Sequence, residues 1–128
     1  MIYTTYFAKL RSLPKEITPI VICAKAPPGI PWPSYRTLAP NYGFYSIYKE
    51  TGDIEYFTRC YRDGILSNLN PVRVVADLYS LAGKAYLDGD IALICYEKST
   101  DFCHRHLVAD WLRNNGFECE EFDFTKEK

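Results

Sequence analysis

The sequence has no excess of either charge. Its 15 lysine and arginine residues nearly balance 16 aspartate and glutamate residues, which gives a formal net charge of -1 at pH 7. A chain with so small a net charge has no overall field that would hold it on nucleic acid or on an anionic membrane. Net charge therefore gives no support to nucleic acid as a partner, although a local basic pocket for a small anion is compatible with it.

The sequence also has no long hydrophobic run. Crossing a bilayer as a helix needs roughly 18 consecutive apolar residues, and no stretch of this chain approaches that length. Residues 1–17 lack the basic and then apolar pattern of a signal peptide. We therefore expect no membrane partner and a cytoplasmic protein.

Cysteine is present without any regular spacing. The number of cysteines is odd, and none of them forms a C-x-x-C pair. This pattern argues against a secreted disulfide framework, and it lacks the paired spacings of structural zinc sites. We expect free thiols, most of them packed as small apolar groups, with no metal and no cofactor. The five cysteines are Cys23, Cys60, Cys95, Cys103 and Cys119.

Four segments have the patterns of β-strands. Residues 1–7 are rich in β-branched and aromatic side chains, and residues 117–122 alternate apolar and acidic ones, as an edge strand does. Residues 19–24 and 91–96 are continuously apolar, which is typical of strands covered on both faces of a parallel sheet.

The middle of the chain and the segment after residue 100 are predicted to be helical. Asp53 is suited to cap one helix, and Asn70, which a proline follows, marks the start of the next. A further helix is predicted over residues 101–115, ended by Gly116. The apolar faces of the first two are expected to be Ile54, Phe57, Tyr61 and Ile65, and then Val72, Val75, Ala76 and Tyr79.

The order of these elements predicts one small α/β domain. From residue 71 onward the pattern is helix, strand, helix, strand, an alternation typical of parallel sheets with helical crossovers. Together with the two earlier strands it predicts a mainly parallel sheet of about four strands covered by helices. Hydrophobic residues make up 48% of the chain, which is ample for one core. Residues 1–128 are therefore expected to form a single domain.

Residues 26–40 are rich in proline. Five prolines, together with Gly29 and Trp32, prevent any regular element from persisting there. An irregular segment of this length is uncommon inside a compact domain, and such loops often act as lids or binding loops. The alternative is an ordered cover over a helix or a sheet edge. The sequence does not decide between the two.

The densest group of reactive side chains lies in residues 91–107, where a predicted strand runs through a turn into a helix start. Ligands of open parallel α/β sheets bind outside the carboxyl ends of the strands, where loops lead into helix N-termini. A single ligand site at this strand end is therefore predicted. The segment carries Cys95, Glu97, Cys103, His104 and Arg105.

Two cations are candidates for binding an anion at this site. Lys25 follows the strand at residues 19–24 and faces the same crevice if the two buried strands are neighbours. Arg105 lies in the predicted first helical turn, where the helix dipole already attracts negative charge. We expect Lys25, Arg105 and the helix N-terminus to bind a phosphate or carboxylate together.

Four residues are candidates for catalysis. Cys95 and Cys103 would be made more acidic by a helix N-terminus and nearby cations, so either thiol is a potential nucleophile. His104 and Glu97 are the side chains suited to transfer a proton. If Glu97 is buried without Arg105, its pKa should be raised and it is suited to act as a base, whereas pairing with Arg105 should lower its pKa.

Other interpretations of these residues stay open. In the structural one, Arg105 simply pairs with Glu97 and both cysteines fill apolar space. A zinc site from Cys95, Cys103, Glu97 and either His104 or His106 lacks the usual ligand spacing. A phosphatase-type loop is disfavoured because Cys95 and Arg105 are too far apart and the intervening segment contains no glycine.

The chain resembles a known family along nearly its whole length. The run ALICYEKSTDFCHRHLVADWL, preceded by YTTYFAKL, ICAKAP and TLAP, is similar to the domain of unknown function 488 family of small bacterial, archaeal and phage proteins. The resemblance implies a compact α/β fold and a site at Cys95, Glu97, Cys103, His104 and Arg105, with Lys25 a weaker candidate. It implies no established activity, and the segment at residues 28–35 departs from the family pattern.

These features lead to two hypotheses about function. The first is a protein that binds, and in one version also processes, a phosphorylated or otherwise anionic ligand such as a nucleotide or a nucleic-acid end. The second is a non-enzymatic protein-interaction module, for example a phage-encoded inhibitor, in which the Cys-His-Arg turn is only structural. Its anchors would be the aromatic side chains of residues 27–45.

Overall fold

A four-stranded parallel sheet runs through the centre of the domain. The computed structural model describes residues 1–97 and 101–126. The strands are β1 (Ile2–Tyr6), β2 (Ile17–Val21), β3 (Asp90–Cys95) and β4 (Cys119–Glu121), and they lie in the order β2-β3-β1-β4. Every pairing between neighbouring strands is parallel. The predicted α/β class and the four strands are confirmed.

The apolar segments at residues 19–24 and 91–96 correspond to strands β2 and β3, and these two strands are neighbours in the sheet. β3 is a central strand, and its residues from Ile91 to Cys95 are all buried. β2 begins two residues before the predicted segment and ends at Val21, although the Ile22 amide still donates to the Ile94 carbonyl oxygen at 3.0 Å. The chain after residue 22 therefore leaves the sheet beside the carboxyl end of β3.

The α-helices pack on one face of the sheet. Ile91 and Leu93 of β3 point toward them, whereas Ala92 and Ile94 point to the other face, because successive side chains of a strand alternate. The short 3-10 helix Phe7–Ser12 and aromatic residues near the C-terminus cover that second face. The helices are α1 (Tyr42–Thr51), α2 (Ile54–Gly64), α3 (Pro71–Leu81) and α4 (His104–Asn114).

Two of the helices begin where their capping residues predict. The Asp53 carboxylate accepts a hydrogen bond from the Tyr56 amide at 3.0 Å, and the Asn70 side chain accepts from the Val72 and Arg73 amides. Helix α1, whose bounds the sequence did not define, is capped by Asn41 in the same way. Within the described residues, no helix has both the length and the apolar character that crossing a bilayer requires.

The apolar faces differ in part from the predicted ones. On α3 the buried residues are Val74, Val75, Leu78 and Tyr79, whereas Val72 is 56% exposed. Val72 lies two residues before Val74, about 200° around the helix, so it points away from the sheet. Ile54 is also exposed, since it is the first residue of α2, while Phe57 and Tyr61 are buried as predicted.

The proline-rich segment is an ordered cover over a sheet edge. Val21 of β2 donates to the Pro33 carbonyl oxygen and accepts from the Tyr35 amide, each at 2.8 Å, which forms a single bridge with Ser34. A short 3-10 helix, Arg36–Leu38, follows. This arrangement favours the sheet-cover interpretation over a mobile lid.

Helix α4 begins later than predicted. Its first residue is His104, and Cys103 is the N-cap with extended backbone (φ -153°, ψ 147°). The earlier start predicted at Asp101 is wrong, because the chain before Cys103 is not yet helical. Residues 98–100 of the segment between β3 and α4 lie outside the described residues. Cys103, His104 and Arg105 thus occupy the N-cap and the first two helical positions.

Candidate functional site

A pocket of about 300 Å³ opens at the carboxyl ends of β2 and β3. Because these strands are neighbours, the segments that follow them meet and form the shared crevice predicted from the sequence. Lys25 follows β2 and Glu97 follows β3, and both line this pocket. His104 contributes from the start of α4. The structure therefore brings one cation, one carboxylate and one imidazole of the predicted site together.

Tyrosine side chains form much of the remaining wall. Tyr42 and Tyr45 come from the first turn of α1, and Tyr96 comes directly after β3. The Tyr96 hydroxyl donates to the Lys25 carbonyl oxygen at 2.7 Å, and its ring lies 5.0 Å from that of Phe7. These contacts join the ends of β2 and β3 directly. Tyr42 and Tyr45 were not predicted as site residues, because the sequence did not define the start of α1.

Cys95 and Cys103 are joined by a disulfide, with their sulfur atoms 2.24 Å apart. The expectation of free thiols is therefore wrong for this pair, and it is confirmed for Cys23, Cys60 and Cys119. The reason is tertiary, since the last residue of β3 lies beside the N-cap of α4. Neither the number of cysteines nor their spacing indicates such a contact.

His104 is buried beside this disulfide. Its Nε2 lies 2.8 Å from the Ile22 carbonyl oxygen, and since a carbonyl oxygen only accepts, Nε2 carries the proton. Nδ1 lies 3.8 Å from Cys103 Sγ and keeps its lone pair. Burial lowers the pKa of His104 to about 4, and the nearby Arg105 charge adds to this effect. His104 is thus a neutral imidazole that presents an acceptor nitrogen to the sulfurs.

Arg105 is fully buried and bound on several sides. Its Nε and Nη2 donate to the two carboxylate oxygens of Glu121 at 3.0 and 2.9 Å. Its Nη1 donates to the Glu97 carbonyl oxygen at 2.5 Å and to Cys95 Sγ at 3.2 Å. The pairing predicted in the structural interpretation is thus wrong in its partner, because the salt bridge is with Glu121 and Glu97 offers only its backbone oxygen.

Arg105 is not among the described residues that line the pocket. In the described part of the chain it contacts β3, β4 and the ring of Tyr6, whose centroid is 5.6 Å from Cζ. Most of its N–H groups are already used. This geometry favours a positioning role that joins α4 to the sheet. Direct anion binding by Arg105 stays a prediction.

Glu121 is a partner of Arg105 that was not predicted from the sequence. Its Oε1 also accepts a hydrogen bond from the Thr4 hydroxyl at 2.6 Å, so it links β4, β1 and α4. A signal was present, because Glu120 and Glu121 are consecutive in a strand and must point to opposite faces. One of the two therefore had to point inward, where it needs a cation.

The cluster also has the composition of a metal site. The Sγ atoms of Cys95 and Cys103 and a ring nitrogen of His104 all lie within 4.8 Å of one another, and all three residues are buried. Thiolates and imidazole are the ligands that Zn²⁺ prefers in proteins. Glu97, His106 and Lys25 do not belong to this cluster as the described residues define it.

Comparison with protein families assigns the chain. A family model described as the active DUF488-N3 subclade matches residues 2–116. The chain belongs to the DUF488 family. This membership confirms the resemblance based on C-Y-E-K and C-H-R, and the match spans the whole pocket of this DUF488 domain. It ends before Glu121, the partner of Arg105.

No curated protein and no solved structure matches the chain. DUF488 denotes a domain of unknown function, so membership in the family assigns no reaction. The function of this DUF488 domain therefore has to be argued from the pocket and from the cysteine and histidine cluster beside it.

Proposed function

We propose that this DUF488 domain is a cytoplasmic protein that binds a small anionic ligand of the nucleotide class in the pocket at the carboxyl ends of β2 and β3. One observation carries the proposal: Lys25 and three tyrosines line a single pocket of about 300 Å³. Small-molecule sites span about 300–1,000 Å³ and combine a largely apolar wall with a few placed polar groups. This pocket has both features.

The lining residues suit the two parts of a nucleotide. The rings of Tyr42, Tyr45 and Tyr96 offer faces on which a planar base can stack. The Lys25 side chain is exposed at the pocket rim and suits a phosphate. Glu97 repels an anion, so we assign it to the sugar hydroxyls or the base N–H groups, which donate hydrogen bonds.

Catalysis is the second part of the proposal, and it depends on the redox state of the cysteines. In the disulfide neither Cys95 nor Cys103 is a nucleophile. Reduction gives two thiols, of which Cys95 lies at the pocket wall beside the Arg105 guanidinium, a neighbour that favours the thiolate. His104 Nδ1 and the Glu97 carboxylate are the groups suited to transfer a proton.

Thermal unfolding with and without ligand tests the binding proposal. A ligand that binds only the folded protein raises the Tm, so AMP, ADP and inorganic phosphate are compared on the disulfide-bonded protein. We expect Lys25→Ala to weaken nucleotide binding about tenfold, or about 1.4 kcal/mol, through loss of one charge-assisted contact. The Tm of the ligand-free variant should stay close to that of the wild type, since Lys25 is exposed.

Lys15→Ala is the matched control. Lys15 is also exposed, but it precedes β2 and therefore lies at the opposite ends of the strands. It should bind nucleotides as the wild type does. Equal weakening by the two variants, or no stabilisation by any of the three anions, would refute the pocket as an anion site.

The absence of any anion response would favour a second function, a protein-interaction module. Its support is the exposure of aromatic side chains on the proline-rich segment and α1, where Trp32 is 41% exposed and Tyr42 is 80% exposed. Large aromatic residues on an ordered surface are effective anchors for a protein partner. The order that the bridge between Val21 and Ser34 gives to this segment suits that role.

A further inference from the structure

We propose that Cys95, Cys103 and His104, once the disulfide is reduced, bind one Zn²⁺ ion beside the pocket. The usual spacing motifs of zinc ligands are absent from this chain, so the inference rests on the tertiary arrangement alone. It does not depend on which ligand enters the pocket.

The three ligand atoms already converge. They lie within 4.8 Å of one another, and the exposed fractions of Cys95, Cys103 and His104 are 1%, 2% and 6%. Burial in a common cluster limits the competition of water for the three ligand atoms. Soft thiolates with an imidazole select zinc over magnesium or calcium, which prefer oxygen.

His104 is oriented as a metal ligand would be. Its Nε2–H donates to the Ile22 carbonyl oxygen at 2.8 Å, which fixes the ring and leaves the Nδ1 lone pair toward Cys103 Sγ, 3.8 Å away. Ligand histidines commonly donate their other N–H to a backbone carbonyl or a carboxylate in this manner. The hydrogen bond also keeps the imidazole in the one tautomer that can bind through Nδ1.

The backbone leaves room for an ion between the cysteines. The Cα atoms of Cys95 and Cys103 are 7.6 Å apart, more than the roughly 4.4–6.8 Å that disulfides usually span. Zinc–sulfur bonds of about 2.3 Å in a tetrahedral site hold two sulfurs roughly 3.8 Å apart. Once the bond between them is reduced, the two side chains can reach that separation from opposite sides of the cluster.

The charges around the cluster balance when zinc is bound. Two thiolates neutralise the ion, and the buried Arg105 is neutralised by Glu121, so no net charge is left in the interior. Arg105 Nη1, 3.2 Å from Cys95 Sγ, donates to that thiolate. Such donors around the ligands are part of most metal sites.

Three protein ligands leave one position for a water molecule or a ligand group. Zinc sites with three protein ligands and an open position are typical of catalysis, whereas structural sites have four. Both Cys95 and His104 line the 300 Å³ pocket, as does Glu97. The open position is therefore accessible from the pocket, where the Glu97 carboxylate is available to accept a proton.

Zinc binding and the disulfide exclude each other. A dithiol reductant supplies two electrons and two protons, becomes a disulfide itself, and converts Cys95 and Cys103 into two thiols. Each thiol then releases its proton as its sulfur binds the ion. Redox state therefore determines whether this cluster holds metal.

Metal titration of the full-length protein tests the site. The protein is reduced with dithiothreitol under anaerobic conditions, freed of the reductant, and titrated with Zn²⁺ or Co²⁺ without nucleotide. We expect one ion per chain and intense thiolate-to-cobalt charge-transfer absorption. Cys103→Ser and His104→Gln should each lower the affinity for Zn²⁺ by more than about 100-fold, because the loss of a ligand exceeds the loss of an outer-shell partner.

Cys60→Ser is the matched control, since Cys60 is a free cysteine on α2 outside the cluster. It should bind zinc as the wild type does. Reduced wild-type protein that takes up no ion, or equal affinities of Cys103→Ser and Cys60→Ser, would overturn the proposal. Circular dichroism of every variant shows whether it is folded before titration.

X-ray absorption of the zinc-loaded wild type keeps the test independent of variants that fail to fold. We expect two sulfur neighbours at about 2.3 Å and nitrogen or oxygen neighbours at about 2.0–2.1 Å. A shell of nitrogen and oxygen alone would overturn the site. Because nucleotide is absent throughout, failure here leaves the anion-binding proposal to be judged by its own experiment.

Discussion

Arg105 is the residue at which the elements around the site converge. Its guanidinium is bound to a carboxylate of β4, to a backbone oxygen after β3 and to the sulfur of Cys95. A cation at the second position of a helix opposes the helix dipole. The Glu121 carboxylate offsets this cost, so the arginine serves the fold before any ligand binds.

Replacing Arg105 should therefore reduce stability strongly. We expect Arg105→Ala to lower the free energy of unfolding by about 3 kcal/mol or more, because Glu121 would lose its partner in a mostly buried setting. Arg105→Lys should recover little of this, since an ammonium cannot make the paired contact with the carboxylate. Urea unfolding measures both.

Arg73→Ala is the comparison for that experiment. Arg73 forms an ion pair with Asp77, but its side chain is 79% exposed, and exposed pairs contribute little. Its replacement should leave the urea midpoint almost unchanged. Similar losses for Arg73→Ala and Arg105→Ala would contradict the structural role given to Arg105.

His104 should make the disulfide-bonded protein sensitive to acid. Burial holds the pKa of His104 at about 4, below its ordinary value of 6.5. Between these values the unfolded chain binds a proton that the folded protein does not, so the free energy of unfolding falls as the pH decreases through this window. For this residue the loss amounts to about 3 kcal/mol.

Comparison with His104→Gln isolates this contribution. Glutamine can still donate to the Ile22 carbonyl oxygen, but it does not titrate between pH 7 and pH 4. Urea unfolding at pH 7 and near pH 4.5 should show a smaller acid-induced loss in the variant than in the wild type. Equal losses would mean that other groups cause the acid sensitivity.

At the scale of elements, the disulfide fixes the end of β3 to the start of α4. The two cysteines are separated by eight positions in the sequence, and closing a loop of that size restricts the unfolded chain by roughly 2–3 kcal/mol. Reduction in the presence of a chelator should lower the free energy of unfolding by about this amount. Zinc added to the reduced protein should restore it.

Alkylation followed by mass spectrometry checks the state of the cysteines. Before reduction only Cys23, Cys60 and Cys119 are available, and the half-buried Cys60 should react first. Cys119 should be the slowest, since burial raises its pKa to about 12. Five reactive thiols in the untreated protein would contradict the disulfide.

The sequence predicts an element well when the residues that specify it lie within that element or next to it in the chain. Asp53 and Asn70 mark helix starts because capping is a contact within one turn, and β3 is evident because a strand buried on both faces is apolar throughout. The start of α4 is different. Cys103 caps it without a side-chain hydrogen bond, so Asp101 gives the more conventional but incorrect signal.

At the scale of the whole molecule, the groups of the site that the sequence did not predict are those brought there by contacts between distant parts of the chain. The pocket was predictable, since the carboxyl ends of two adjacent parallel strands must lie side by side. Glu121 and the Ile22 carbonyl oxygen were not, because each is brought to the site by a different strand. The local sequence pattern therefore predicts where the site lies. Contacts between residues distant in the sequence determine which of its groups are charged, hydrogen-bonded or free.

Both edges of the sheet have features that limit pairing with a neighbouring molecule. Along β2, the chain from Pro33 to Tyr35 already occupies hydrogen-bonding groups of Val21. On the opposite side β4 is only three residues long, and its Glu120 is exposed. A second copy aligning its β4 there would bring like charges together, which discourages strand-to-strand association. We therefore expect the acidic tip of β4 to disfavour association of two copies through this edge of the sheet.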